Sequence, residues 1–352
     1  MKIFRALRVI LAPVSLLYLL GFYVKRLCAR PWSSPVPVVC IGNITTGGTG
    51  KTPVVIRTAS ALRENGFRPG VVSRGYRGRL SAAGAVVGDG ERVLLSADAA
   101  GEEAVLIAGA LRGVPVVIGA DRRNAISTIV DRFGVDCIVM DDGFQNTSVR
   151  SDVAVLVVDA TDPFGGGLAL PAGNLREPAT ALRRGDYIIL NKCDLVRDER
   201  RERILARVRR ISRGRPMTTG RYRPRRLCRG ADAGDTRPIE SIAGSRVLLV
   251  SGIGNPAGFR ALVGAQRPAS IDEMAFPDHH AYSKEDVDRI FSTSCGVDMV
   301  LTTEKDIIKL RRFPLPDALW YVPVDVVLED ERGFVSFIAD RVRAAAAKRK
   351  KL

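Results

Sequence analysis

The sequence predicts an α/β protein: a P-loop NTPase-like, mostly parallel sheet flanked by helices, with a smaller C-terminal α/β lobe and an apolar N-terminal helix. Three observations predict it. The apolar run Val36 to Ile41 leads into a glycine-rich loop closing on Gly50-Lys51-Thr52. Short apolar runs then alternate with helix-patterned segments to about residue 195, the pattern of a parallel sheet with crossover helices. After an arginine-rich interval, Arg246 to Ser251 opens a second such alternation.

At the start of the chain, Lys2, Arg5 and Arg8 precede an uncharged apolar run from Val9 to Val24, and Lys25, Arg26 and Arg30 follow it. The run contains Pro13 and Gly21 and falls short of the roughly 20 residues of a perpendicular membrane span. No A-x-A-like cleavage site follows, which argues against a signal peptide. The reading taken is a membrane-associated helix lying in a leaflet with its cations against anionic lipid; a buried core helix is the alternative.

Strand, small-residue loop and Gly-Lys-Thr at a helix start form the context a phosphate-binding loop requires. Thr45, Thr46, Gly47, Gly48, Thr49, Gly50, Lys51 and Thr52 are the candidate nucleotide-binding residues. Backbone N–H groups face the anion, Lys51 reaches the β- and γ-phosphates, and the Thr52 hydroxyl holds Mg²⁺. The usual spacing asks for a glycine where Thr45 stands, so a glycine-rich surface turn is the competing reading. Next, Arg74 and Arg77 sit between glycines in Ser73-Arg74-Gly75-Tyr76-Arg77-Gly78, either gripping an anion or forming an exposed basic loop. Residues 79–100 read as a surface excursion. Arg122 and Arg123 open another helix after a strand over 114–118. The apolar run Cys137 to Met140 ends in Asp141-Asp142. Carboxylates at the C-terminal end of a buried strand complete a nucleotide–Mg²⁺ site.

Residues 162–178 form a long Gly/Pro-rich loop, and loops of that length are commonly functional. Asn191-Lys192-Cys193-Asp194 either reads a guanine base or makes a structural corner. The expected division is an N-terminal helix over 1–30, a P-loop core over 31–221, a hinge or linker over 222–245 and a smaller lobe over 246–352 with a basic tail.

Composition sets bounds. The 352 residues carry 54 Lys and Arg against 38 Asp and Glu, a net charge of +16, which favours phosphorylated or anionic surroundings. Aromatic residues make up only 6 %, and no nucleic-acid reader motif appears, so no nucleic-acid partner is expected. The six scattered cysteines include no CxxC pair, and reduced thiols are expected; with two adjacent histidines and no cysteine near them, a zinc site is not.

Taken together, Gly42-Asn43-Ile44-Thr45-Thr46-Gly47-Gly48-Thr49-Gly50-Lys51-Thr52-Pro53, Ser73-Arg74-Gly75-Tyr76, Asp141-Asp142-Gly143-Phe144-Gln145, Leu170-Pro171-Ala172-Gly173 with Arg176-Glu177-Pro178, Ser251-Gly252-Ile253-Gly254-Asn255-Pro256, Phe276-Pro277-Asp278-His279-His280 and Thr302-Thr303-Glu304-Lys305-Asp306 resemble the tetraacyldisaccharide 4′-kinase family of the lipid A pathway. The match runs in order from the N-terminal helix to about residue 310. The resemblance implies transfer of the γ-phosphoryl group of ATP, with Mg²⁺, to the 4′-hydroxyl of a tetraacyldisaccharide 1-phosphate. It implies a peripheral enzyme on the cytoplasmic face of the inner membrane of a Gram-negative bacterium, and a monomer is expected.

On that resemblance, His279 is the candidate base for the acceptor hydroxyl, oriented by a carboxylate. The family has Gly-Asp-Glu where this chain has Gly101-Glu102-Glu103, so Glu102 is the expected carboxylate, with Asp98 as the alternative. Lys51 completes the catalytic set, Thr52, Asp141 and Asp142 the metal set. Arg74, Arg77, Arg122, Arg123, Gln145 and Arg176 are candidates for contacts to phosphate or sugar. Closure about residues 222–245 is expected to bring His279 into play. Asn174 stands where the family often has Pro, a change expected to be harmless. The alternatives are a membrane-associated P-loop GTPase or ATPase switch without lipid kinase activity, and a nucleic-acid-binding ATPase.

Overall fold

Apolar runs too continuous to leave one face in water become strands buried on both sides, and they order this chain into two sheets. The computed structural model describes residues 2–351, with side chains from residue 11; the charges of Lys2, Arg5 and Arg8 lie outside the described side chains. The chain divides into two units, Met1–Arg221 with Val327–Leu352, and Tyr222–Val326.

The first unit contains α1 (Lys2–Leu27), β1 (Val38–Gly42), α2 (Lys51–Glu64), β2 (Pro69–Ser73), β3 (Ala85–Gly88), α3 (Ala97–Ala100), α4 (Glu102–Ala110), β4 (Val116–Ile118), α5 (Arg122–Phe133), β5 (Cys137–Asp141), β6 (Val153–Asp159), β7 (Tyr187–Asn191), α6 (Asp198–Ser212) and β8 (Met217–Pro224). Its strands belong to a nine-stranded sheet ordered β15-β8-β7-β6-β1-β5-β2-β4-β3, in which β15 is Val324–Leu328. β1 runs parallel to both neighbours, β5 and β6. Edge strand β3, inside the expected surface excursion, is antiparallel to β4. The register sets Ile41 beside Asp141, so the phosphate-loop candidate and the acidic pair leave the sheet at the same edge. Val38, Val39 and Ile41 are fully buried.

The arginine-rich stretch after residue 197 holds a helix the sequence reading did not find. α6 carries one narrow stripe, Ile204, Leu205 and Val208, beneath a surface of arginines, with Asp198 and Glu199 in its first turn. Acids at the N-terminus and Arg209 and Arg210 in the last turn suit the helix dipole.

The second unit holds β9 (Arg226–Arg229), β10 (Thr236–Pro238), β11 (Arg246–Ser251), α7 (Pro256–Gly264), β12 (Ser270–Ala275), α8 (Lys284–Thr293), β13 (Met299–Thr303), α9 (Glu304–Leu310) and β14 (Leu319–Val322). Strands β12-β11-β13-β14 are parallel, and β9 and β10 add antiparallel strands beyond β14. Residues alternate along β11: Val247 and Leu249 join Trp320 and Phe259 on one face, while Leu248 and Val250 join Tyr282 and Ile290 on the other. The stretch 222–245, expected to be a hinge or linker, contains the end of β8, β9 and β10. After β15, α10 (Glu331–Arg349) rejoins the first unit, where Arg349 pairs with Asp152 and donates to the Ser34 carbonyl.

α1 is one continuous helix through Pro13. Among the described residues, no helix is long and apolar enough to cross a membrane. The six cysteines are all unpaired, with Cys28 and Cys295 exposed and the other four buried.

Close packing explains one glycine. A Cβ on Gly42 would lie 2.4 Å from the Cβ of Phe144. Gly42→Ala forces these two loops apart and is expected to cost about 1–3 kcal/mol, the usual penalty of overpacking, measurable by urea unfolding.

Candidate active site

Between β1 and α2 the chain turns through Gly47 and Gly50, both with positive φ (98° and 86°). Gly50 immediately precedes α2 in the left-handed region, a place L side chains occupy at a cost. Thr45 is not among the residues with positive φ, so the missing glycine at that position imposes no strain.

The turn is held from three sides. Asn43 donates its Nδ2 to the Thr45 carbonyl at 2.7 Å and to the Thr49 hydroxyl at 3.2 Å. The Gly/Pro-rich loop braces the outer limb: Thr46 N–H donates to the Asn174 carbonyl at 2.7 Å, and Arg176 N–H to the Ile44 carbonyl at 2.8 Å. Asn174 serves Thr46 through its main chain, so its side chain has no part in that contact. From the end of β7, Asn191 donates to the Thr49 carbonyl at 3.2 Å, and Lys192 to the Gly48 carbonyl at 2.6 Å and to Asp159. Asn191 and Lys192 thus act as a structural corner behind the loop, while Asp194 is exposed. With its carbonyls tied back, the turn leaves N–H groups for an anion.

Lys51, first residue of α2, lies 3.3 Å from the Asn43 side-chain oxygen and 3.4 Å from Asp142. Asp142 has φ 48° and receives Arg176 Nη1 at 2.9 Å on both oxygens. Burial opposes its ionisation, but Lys51 and Arg176 outweigh burial and hold its carboxyl below the usual range. Its neighbour is treated oppositely. Asp141 accepts the Ser73 hydroxyl at 2.9 Å on Oδ2, while its buried Oδ1 has no hydrogen-bond partner. Burial, then the charges of Glu103 and Asp142, push the Asp141 carboxyl up to about 6.

That orphaned oxygen tests the fit of a divalent cation. Mg²⁺ takes hard oxygen ligands, commonly one or two carboxylates completed by substrate phosphates and water. Asp141 Oδ1 and the Thr52 hydroxyl are donors of that chemistry, and Thr52 is itself buried. Among the described residues no group of three or more His, Cys, Asp or Glu could hold a metal.

The other candidates separate. Arg122 is buried beside the acidic pair; burial lowers its pKa and the Asp141 charge counters, and it donates to the Gly119 carbonyl while Nε has no hydrogen-bond partner. Arg123 is turned to the Ser148 carbonyl at 3.1 Å. Gln145 ties the Asn43 carbonyl at 2.9 Å to Glu177 at 3.0 Å, a bracing contact. Arg74 and Arg77 are exposed, and Arg77 has φ 62°. Glu102 opens α4 after Gly101, half-buried. The acid whose charge bears on Asp141 is the next residue, Glu103.

In the second unit the two histidines differ. His280 is locked: its Nε2 is 2.8 Å from Asp286, and its ring stacks on Phe276 at 4.7 Å. Asp286 also closes the capping box of α8 with Ser283. His279 instead has φ 59°, with its N–H donated to the Gly252 carbonyl at 3.0 Å. Residues held in such strained conformations cluster at functional sites. Asp306 fixes the Ser251–Pro256 loop, accepting from Gly252 N–H at 3.0 Å and from the Thr303 hydroxyl at 2.7 Å.

Comparison with known proteins now bears on this geometry. Residues 7–343 match the family model described as Tetraacyldisaccharide-1-P 4′-kinase. The chain belongs to this family. Similar curated proteins, named tetraacyldisaccharide 4′-kinase, include one from Syntrophus aciditrophicus (strain SB), 34 % identical over 94 % of this chain and 91 % of its own length. Another, from Anaeromyxobacter sp. (strain K), is 40 % identical over 88 % and 82 %. Among solved structures, the "apo" form of the Aquifex aeolicus family member in complex with ATP is similar at a TM-score of 0.76 and 27 % identity, covering 96 % of this chain and 99 % of that one. Family membership agrees with ATP as the phosphoryl donor and does not favour the GTPase reading.

Sequence reasoning missed Asn43, Ser73 and Glu103 as parts of the site, while Lys192 lies in the stretch it read as a guanine reader or a structural corner. Asn43 and Ser73 stood inside the quoted motifs, and Glu103 is an acid in a helix's first turn, so each carried a signal.

The raised Asp141 carboxyl has a stability consequence. The unfolded chain ionises it near the ordinary carboxylate value of 3.8 and the folded chain only near 6, so stability is lost as pH rises through that window. Asp141→Asn removes the loss. In thermal melts of the nucleotide-free protein the variant is expected to gain on wild type between pH 4 and pH 7, by on the order of 1–3 kcal/mol.

Proposed function

We propose that this family member transfers the γ-phosphoryl group of ATP to the 4′-hydroxyl of a tetraacyldisaccharide 1-phosphate, the step that forms lipid IVA in lipid A biosynthesis. The observation that carries the reading is the braced phosphate loop whose Lys51 meets Asp142, next to a buried carboxylate with one oxygen unmatched. Phosphoryl transfer asks a protein mainly for positioning and charge neutralisation, and this cluster is built for both.

In this reading, residues 45–52 bind the triphosphate through main-chain N–H groups, and Lys51 moves from its carboxylate partner onto the phosphates. Thr52 and Asp141 hold Mg²⁺, with Asp142 as a further metal-side carboxylate; the bound ion neutralises phosphate charge. Arg176 and the buried Arg122 supply further positive charge, and Arg74, Arg77, Arg123 and Gln145 complete the candidates for the acceptor side. Arg122 and Arg176 rank first because both lie against the acidic pair, Arg176 on Asp142 and Arg122 beside Asp141. His279 takes the proton of the acceptor hydroxyl, and Glu102 is its partner carboxylate. His279 is chosen because it holds the matching place in the family motif and sits at φ 59°, a strained conformation of the kind found at functional sites.

The acceptor is a lipid, and α1 suits it. Leu16, Leu17 and Leu20 are between 62 and 69 % exposed on one helix, and Leu27 more so. Contiguous exposed apolar residues mark an interaction surface, here an anionic membrane, with the exposed Lys25 and Arg30 at the head-group level. The enzyme accordingly works as a monomer peripheral to the cytoplasmic face of the inner membrane of a Gram-negative bacterium.

The test is transfer of label from γ-³²P-ATP to tetraacyldisaccharide 1-phosphate in detergent micelles. A bisphosphorylated lipid product is expected, and ATP binding without lipid product contradicts the reading. His279→Ala is expected to lower kcat by about 10²–10⁴-fold, the range for a positioned base, with ATP affinity within a few-fold of wild type. Near-wild-type turnover in that variant removes His279 from the role.

A further inference from the structure

One helix touches both the apolar exterior and the loop that carries Arg176. The residues of α1 turned toward the protein follow helical spacing: Ser15, Leu19, Phe22 and Arg26 are buried or half-buried, while Leu16, Leu17, Leu20, Val24 and Leu27 are exposed. Leu19 packs against the main core of the first unit. Ser15, only 5 % exposed, donates to the Ala169 carbonyl at 3.0 Å and accepts from Ala172 N–H at 3.2 Å. Three residues on, the Tyr18 hydroxyl donates to the Arg176 carbonyl at 3.0 Å.

Arg176 is a junction. Its carbonyl is held by Tyr18, its N–H by the Ile44 carbonyl at the entry to the phosphate loop, and its guanidinium by both oxygens of Asp142, which in turn faces Lys51 at 3.4 Å. The route from helix to phosphate site is therefore four side chains long and runs through hydrogen bonds and ion pairs within one unit. Arg176 is a cation that must keep Asp142 ionised and stay in reach of phosphate, and a small shift of its main chain moves the guanidinium.

We propose that Tyr18, with Ser15 behind it, is a positioning residue for the transfer reaction: it fixes Arg176 from the lipid-facing helix, so that seating of α1 on an interface sets the Asp142–Lys51 pair. The inference deepens the lipid kinase reading and rests on it for the acceptor, but its link can be read on nucleotide binding alone. A helix that only anchored the protein would affect capture of lipid; a helix that positions Arg176 affects nucleotide binding and turnover.

A double-mutant cycle tests this. Tyr18→Phe keeps the ring and removes the donor, and it is combined with Arg176→Ala and, as a milder change, Arg176→Lys. Each protein is measured in mixed micelles for kcat, lipid KM and MgATP Kd, with thermal melts to show that it folds. Tyr18→Phe is expected to lower kcat and weaken MgATP by about two- to ten-fold, the range for one hydrogen bond, with lipid KM little changed. Its effect is expected to vanish in the Arg176→Ala background and shrink in Arg176→Lys. The same factor in all three backgrounds, or a rise in lipid KM alone, overturns the inference. If wild type binds MgATP without transferring phosphate while the coupling persists in Kd, the kinase reading fails and the link stands.

Discussion

Two adjacent carboxylates with opposite electrostatic needs form the constraint on which the first unit turns. Asp142 is kept ionised by Lys51 and Arg176 despite burial, and Asp141 is pushed up to about 6 by burial, with one oxygen unmatched. Neighbouring titratable groups whose environments diverge in this way usually have different chemical tasks. Here the register of β5 against β1 puts both at the mouth of the phosphate loop. An unmatched buried oxygen costs stability, so its persistence beside the phosphate loop invites a functional reading: in the proposed function it is reserved for a cation that arrives with the nucleotide.

The loop itself owes its shape to distant groups. Glycines permit the turn, but Asn43, Asn174, Asn191 and Lys192 hold its backbone, and Lys192 reaches it from 144 residues away. This explains how Thr45 can stand where a glycine is usual: the site depends on where carbonyls are tied back more than on one flexible residue. It also explains the Asn-Lys-x-Asp stretch, whose first two side chains serve the loop. The same Gly/Pro-rich segment that supplies Asn174 carries Arg176 and is gripped by α1, so the helix with the exposed apolar face and the phosphate loop share one short piece of chain.

What could be read in the sequence was what is local in it. The run Val36–Ile41 before Gly50-Lys51-Thr52, the strand ending in Asp141-Asp142 and the alternating β11 each carry their signal within a few residues. Helix α6 was hidden because its apolar stripe is narrow amid arginines, and β9 and β10 because they are short and take their place only by pairing, β9 on β14 and the edge strand β10 on β9. Ser73 and Glu103 escaped as site members because their relation to Asp141 exists only after the sheet brings β2, α4 and β5 together. The histidine pair shows the same limit: the sequence could name His279 only through the family resemblance, because the ties of His280 to Asp286 and Phe276 exist only in the folded second unit.

The most direct measurement is ATP affinity as a function of Mg²⁺, by calorimetry, for wild type and Asp141→Asn. The account predicts that Mg²⁺ tightens ATP binding to wild type by at least ten-fold, about 1.4 kcal/mol, and that the variant loses most of this gain while still binding ATP without metal. The same Mg²⁺ dependence in both proteins would contradict the claim that the unmatched oxygen of Asp141 is kept for the cation.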